Sequence, residues 1–135
     1  MASLYVETSA LLKRYVLEPE SEDCQILLDA HSHRITSRIT ITETLINLRK
    51  RLSTGEFAIA SKLFQSDIDV FDVVEFDEEL SVRASEVAAG DSLATLDAIH
   101  LASALRVKSP QLAFLTYDKR LAKSAKNSGL RVLGL

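Results

Sequence analysis

Short apolar runs alternate along the chain with longer stretches in which apolar residues recur every three or four positions. Leu4-Tyr5-Val6 reads as a first strand, and Leu11, Leu12, Tyr15 and Val16 follow at helical spacing across 9–17. Pro19 suits a first helical turn and opens a second helix carrying Ile26, Leu27 and Leu28. A strand over 34–38 precedes a helix over 40–52, with Ile41, Leu45, Leu48 and Leu52 on one side, and Gly55 separates this from a helix over 57–68. The pattern then predicts a strand over 71–74, a helix over 78–89 stopped by Gly90, and a helix over 96–107 ending before Pro110. A strand over 112–115, a helix over 119–126 stopped near Gly129 and a last strand over 131–133 complete the chain. Strands separated by helices imply crossover connections, and hence an α/β fold. The expected architecture is a three-layer α/β/α sandwich with a mostly parallel central sheet covered on both faces. The 135 residues suit a single domain, with no repeat and no long linker.

In sheets of this kind ligands bind beyond the carboxyl ends of the strands. Glu7 directly follows the first strand, and Asp118 follows the strand over 112–115 after Thr116 and Tyr117. Glu43 falls in the first turn of one helix and Asp97 near the start of another. Helix starts and strand ends can face one crevice, so these acids are candidates for a single site. Converging carboxylates repel one another and take up protons unless a counter-charge is present. A hard divalent cation supplies that charge through oxygen ligands. One or two such ions lower the pKa of water and stabilise charge on a phosphoryl group, which is the chemistry that phosphodiester hydrolysis requires.

Each acid also has a purely structural reading. Thr40-x-x-Glu43 matches a capping box. Asp97 would complement a helix dipole, and Asp118 would cap the helix that follows it. Glu7 is harder to explain, because a charge at the end of an apolar strand is costly without a partner. Thr8, Ser9 and Thr116 flank the strand-end acids, and their hydroxyls are suited either to orienting a carboxylate or to capping the next helix. His100, among Ile99, Leu101 and Ala102, reads as a packed core histidine, and His31-x-His33 is a weak metal pattern.

Charge distribution sharpens this picture more than net charge does. The sum is −3, which by itself argues against nucleic-acid binding. Between Asp67 and Asp97, however, Arg83 is the only base, and from Arg106 onward Asp118 is the only acid. Lys119, Lys123 and Lys126 share one helix face, with Arg120 beside them; such a stripe is either a solvated surface or a track for an RNA backbone. Lys13 and Arg14 are further candidates for phosphate contact from the first helix. No apolar run reaches the roughly 18 residues of a membrane span, and no basic segment precedes an apolar stretch at the start. Cys24 is the only cysteine, so neither an internal disulfide nor a paired-cysteine zinc site is available. A cytoplasmic location is the expectation. The four glycines are scattered, which excludes a glycine-rich phosphate loop.

Taken together, four segments resemble the motifs of PIN-domain proteins. Val6-Glu7-Thr8-Ser9-Ala10-Leu11-Leu12-Lys13-Arg14-Tyr15 resembles their opening, and Thr42-Glu43 with Leu45, Leu48 and Arg49 their second acidic helix. Thr95-Leu96-Asp97-Ala98-Ile99-His100-Leu101-Ala102 resembles the third motif, and Leu115-Thr116-Tyr117-Asp118-Lys119-Arg120-Leu121 the fourth. Order and spacing hold from residue 4 to residue 133, and the compact size points to VapC-type toxins of toxin–antitoxin pairs. The resemblance implies a PIN-like α/β/α sandwich that holds Mg²⁺ or Mn²⁺ through Glu7, Glu43, Asp97 and Asp118 and cuts RNA. It further implies a homodimer silenced by a VapB-like antitoxin. One departure matters: the family usually has aspartate where this chain has Glu7. The rival reading is therefore a catalytically weak PIN scaffold that acts by binding protein or RNA. A magnesium-dependent phosphatase is a third, opposed by glutamate where a nucleophilic aspartate would stand.

Overall fold

The computed structural model describes residues 2–135. Its elements are β1 (Ser3–Val6), α1 (Thr8–Leu11) continued by a 3-10 turn (Leu12–Arg14), α2 (Ser21–Asp29), β2 (His33–Ser37) and α3 (Arg38–Arg51). They continue with α4 (Thr54–Ile68), β3 (Asp72–Val74), α5 (Glu78–Asp91), α6 (Thr95–Arg106), β4 (Leu112–Leu115), α7 (Lys119–Asn127) and β5 (Arg131–Leu133). All four strand pairings are parallel, in the order β3-β2-β1-β4-β5. The expected three-layer α/β/α sandwich is the observed architecture.

The two middle strands are apolar from Leu4 to Val6 and from Leu112 to Leu115 because both sheet faces are covered there. Leu4, Tyr5 and Val6 are fully buried, as are Ala113, Phe114 and Leu115. Their side chains alternate between two cores. Tyr5 and Phe114 stack at 5.2 Å and join Leu80 and Ala84 of α5, Leu101 of α6 and Leu121 of α7. Leu4, Val6, Ala113 and Leu115 join Leu11, Cys24, Leu28 and Phe64 on the opposite face. The edge strands β3 and β5 are shorter and partly exposed.

Several boundaries differ from the sequence reading: the first helix gives way to a 3-10 turn after Leu11, and α4 starts at Thr54 and takes in Gly55, which was expected to precede it. Pro19 lies before α2 rather than inside its first turn, and the helix starts at Ser21. α3 starts at Arg38 with Ser37 as its cap, so Thr40 lies inside the helix and the expected Thr40–Glu43 capping box does not form. A reciprocal capping box forms instead at Ser53 and Glu56, opening α4. α5 passes through Gly90 and ends at Ser92, whose φ of 53° is left-handed.

The chain runs outward from β1 to β2 and β3, then returns across the sheet through α5 and α6 to β4 on the other side of β1. Strand order therefore reverses between β1 and β4. A crevice opens beyond the carboxyl ends at such a reversal. Glu7 leaves β1 there, and Thr116 to Asp118 leave β4 beside it.

Candidate active site

Glu7 caps α1, with Oε2 accepting from the backbone N–H of Ser9 at 3.1 Å. Its Oε1 accepts from two hydroxyls, Ser9 Oγ at 2.5 Å and Thr116 Oγ1 at 2.6 Å. Each hydroxyl also accepts a bond from the β4 side: Tyr117 N–H donates to Ser9 Oγ at 2.9 Å, and Asp118 N–H to Thr116 Oγ1 at 3.1 Å. The Glu7 carboxylate thus organises both edges of the crevice. It is 6% exposed, and these donors answer the cost of burying its charge.

Asp118 caps α7, and its Oδ1 accepts from the N–H groups of Arg120 and Leu121. Glu43 sits in α3 and faces α1 and α6: Thr8 Oγ1 donates to its Oε1 at 2.6 Å, and His100 Nε2 lies 2.7 Å from the same oxygen. Burial opposes its charge, but these two donors outweigh that and hold its carboxyl below the usual range. Glu43 Oε2 and Asp118 Oδ2 have no hydrogen-bond partner among the described residues. Asp97, in the first turn of α6, is set by burial and charge alone. Burial, then the charges of Asp118 and Glu7, push its carboxyl up; His100 offsets this in part, and Glu43 adds to the rise. The four acids therefore share one electrostatic neighbourhood at the strand-order reversal. His100 Nε2 stands 4.0 Å from Glu7 Oε2, so Glu7 and Glu43 flank one imidazole.

The donor set, oxygen throughout and acidic at four points, fits a hard divalent cation in type. Among the described residues no three such side chains converge closely enough to grip an ion as they now stand. The hydrogen bonds explain this: Glu7 is held by Ser9 and Thr116, and Glu43 by Thr8 and His100.

The basic residues divide. Lys119, Arg120 and Lys123 are exposed on α7, at whose start Asp118 lies. Lys13 and Arg14, read from sequence as phosphate contacts, have other partners. Lys13 is buried, paired with Glu20 at 2.8 Å and Glu18 at 3.3 Å, and lies over the Tyr117 ring at 4.7 Å. Arg14 makes a two-pronged bond to Asp67. Lys13 thereby braces the loop that carries Asp118. His31 and His33 do not meet each other on one ion: His31 bonds the Leu27 carbonyl, and His33 bonds Ser3 at the start of β1, away from the acids.

His100 is the residue that sequence reasoning undervalued. It is buried, as a packed histidine would be, yet it bonds an acid of the crevice. Its position one turn after Asp97 is the only signal of this in the sequence, and that spacing is equally that of a core residue.

Comparison with known proteins agrees with this fold. A family model described as PIN domain matches residues 4–127. Ribonuclease VapC46 of Mycobacterium tuberculosis is 33% identical to this chain over 98% of each sequence. Ribonuclease VapC35 of the same species is 34% identical over 96% of this chain and 95% of its own length. The crystal structure of FitAcB from Neisseria gonorrhoeae shares the fold, with a TM-score of 0.77 at 19% identity, covering 97% of this chain and 96% of that one. With a family model matching residues 4–127 and a relative 34% identical over nearly its whole length, this chain belongs to the PIN-domain family.

Proposed function

We propose that this chain is a metal-dependent endoribonuclease acting as the toxin of a VapBC-type pair, with Mg²⁺ or Mn²⁺ as cofactor. The observation that carries the reading is the meeting of Glu7 and Glu43 at one imidazole where the strand order reverses, with Asp97 near enough that burial and then the charges of Asp118 and Glu7 raise its carboxyl. Acids gathered in this way repel one another, and a cation would relieve that repulsion. Names of relatives at about one-third identity, both ribonucleases, support the choice of RNA.

Glu7, Glu43, Asp97 and Asp118 would hold the metal, which when bound neutralises the acids, lowers the pKa of water and stabilises charge on a phosphoryl group. Ser9 and Thr116 keep Glu7 and the Asp118 loop in register. Thr8 and His100 keep Glu43 ionised. Lys119, Arg120 and Lys123 would track the RNA backbone from α7. An antitoxin-class partner and a second copy of the chain would cover apolar surface on the helices.

A second reading has its own support: Glu7 has both oxygens engaged by Ser9 and Thr116. A carboxylate so held favours a catalytically weak scaffold that binds RNA or protein. The two are separated by assaying cleavage of a mixed RNA set with Mg²⁺, with Mn²⁺ and with excess chelator, alongside RNA binding. Metal-dependent cleavage supports the nuclease; RNA binding without cleavage under any condition supports the scaffold.

A further inference from the structure

We infer that His100, locked from behind by Tyr5, is a positioning residue that fixes the Glu43 carboxylate at the crevice. The inference rests on the metal-site reading above. His100 is 1% exposed and so cannot meet a substrate. Its two ring nitrogens nevertheless join the middle of the sheet to the site.

Hydrogen bonding assigns the tautomer. Nε2 lies 2.7 Å from Glu43 Oε1, and a carboxylate offers only lone pairs. Nε2 also lies 3.2 Å from Thr8 Oγ1, whose one proton is already given to Glu43 at 2.6 Å. Both neighbours are acceptors, so Nε2 carries the hydrogen. In the neutral imidazole Nδ1 then accepts from the Tyr5 hydroxyl at 2.9 Å. A phenol is protonated at neutral pH, so that hydroxyl has a hydrogen to give.

Tyr5 is itself immobile. Its ring stacks on Phe114 at 5.2 Å, nearly parallel, and meets the imidazole edge-on at 6.1 Å. The chain Tyr5–His100–Glu43 thus runs from the central strand to the acid. Together with Thr8 it places both donors on Oε1 and leaves Oε2 without a partner. Losing the Tyr5 hydroxyl would leave Nδ1 without its partner and the imidazole free to tilt, so its Nε2–H would hold the Glu43 carboxylate less firmly. Partners that orient metal-binding side chains are typically worth about ten- to a hundredfold in metal affinity.

The test compares the parent chain with Tyr5→Phe, His100→Leu and His100→Gln. Mn²⁺ affinity is measured by calorimetry, RNA binding in chelator, melting temperature, and the His100 tautomer by ¹⁵N NMR. The parent should show the Nε2–H tautomer. Tyr5→Phe should weaken Mn²⁺ about tenfold and His100→Leu about ten- to a hundredfold, with metal-free RNA binding within about twofold of the parent. His100→Gln, which keeps an N–H toward Glu43, should recover most of the loss. Tyr5→Phe preserves the ring stacking and serves if His100→Leu fails to fold. Folded variants that bind Mn²⁺ as tightly as the parent would overturn the inference, as would an Nδ1–H tautomer in the parent. A parent that binds no Mn²⁺ would overturn the nuclease reading instead, leaving the tautomer to decide whether the relay exists.

Discussion

Glu7 carries one methylene more than the aspartate usual in its family, and the structure shows where the extra length goes. Oε1 reaches two hydroxyls at 2.5 and 2.6 Å, those of Ser9 and Thr116. The backbone of Glu7 is tied to Leu115 by an N–H···O bond of 3.1 Å, so the residue cannot retreat to shorten this reach. We expect Glu7→Asp to release the carboxylate from that clamp. Turnover on RNA should rise about ten- to a hundredfold if misplacement of the acid now limits it. Stability should fall by about 1 kcal/mol, the scale of a lost hydrogen bond, with little change in RNA affinity. Equal turnover in both forms would show Glu7 to be a competent ligand as it stands.

Asp97 gives a second prediction at this scale, with the sign set by its raised carboxyl. The folded chain binds this proton more tightly than the unfolded chain does. Its contribution to metal-free stability is therefore lost as pH rises from the ordinary aspartate value of 3.8 through the raised folded value. Above that window Asp97→Asn should raise the melting temperature in chelator by about 1–3 °C, the scale of a screened charge contact on a domain of this size. The same change should abolish metal-dependent cleavage. A lowered melting temperature would mean that Asp97 serves chiefly to complement the α6 dipole.

At the scale of elements, β5 supports the crevice from behind. Leu133 accepts a backbone bond from Thr116 at 3.2 Å, and Gly134 then turns with a φ of 101°. A Cβ at Gly134 would stand 2.5 Å from the Thr116 carbonyl oxygen. Gly134→Ala should therefore cost about 1–3 kcal/mol and lower the melting temperature by about 5 °C or more. Cleavage should fall with it, since Thr116 is the residue displaced; an unchanged melting curve would contradict this account.

The elements themselves were legible in the sequence wherever periodicity was strong. All five strands and the helices after Gly55 stand close to where alternating and 3.6-residue patterns place them. Boundaries set by side-chain hydrogen bonds were not legible. Ser37 and Thr40 are equally good caps on paper, and β2 decides between them by running on to Ser37. The site was legible as a set of acids at strand ends and helix starts. Its wiring was not, because Tyr5–His100 and Ser9–Thr116 join residues 95 and 107 positions apart. Lys13 was misjudged for a related reason: its burial depends on Glu18, Glu20 and Tyr117 folding around it.

At the scale of the whole molecule, α3 and α4 carry exposed apolar side chains on the outer surface. A groove of about 780 Å³ runs between α3 and α4, lined by Ile41, Leu45, Phe57 and Phe64 with Arg38 and Arg49 at its borders. Ile46, Ile59 and Leu63 are exposed on the same two helices. Phe64 of α4 is 3% exposed and belongs to the core. If partners cover this face, Leu63→Glu should weaken association by about tenfold in sedimentation while leaving RNA cleavage per active site unchanged. Undiminished association would place the interface elsewhere.

The central claim concerns the acidic crevice, and one measurement tests it most directly. Purified protein and its Asp97→Asn variant are incubated with a mixed RNA set in Mg²⁺, in Mn²⁺ and in excess chelator, and cleavage is followed by end-labelled product analysis. The account predicts internal cuts by the parent in either metal, none in chelator, and a loss of about a hundredfold or more in the variant. Cleavage that persists in chelator, or survives in Asp97→Asn at the parental rate, would contradict it.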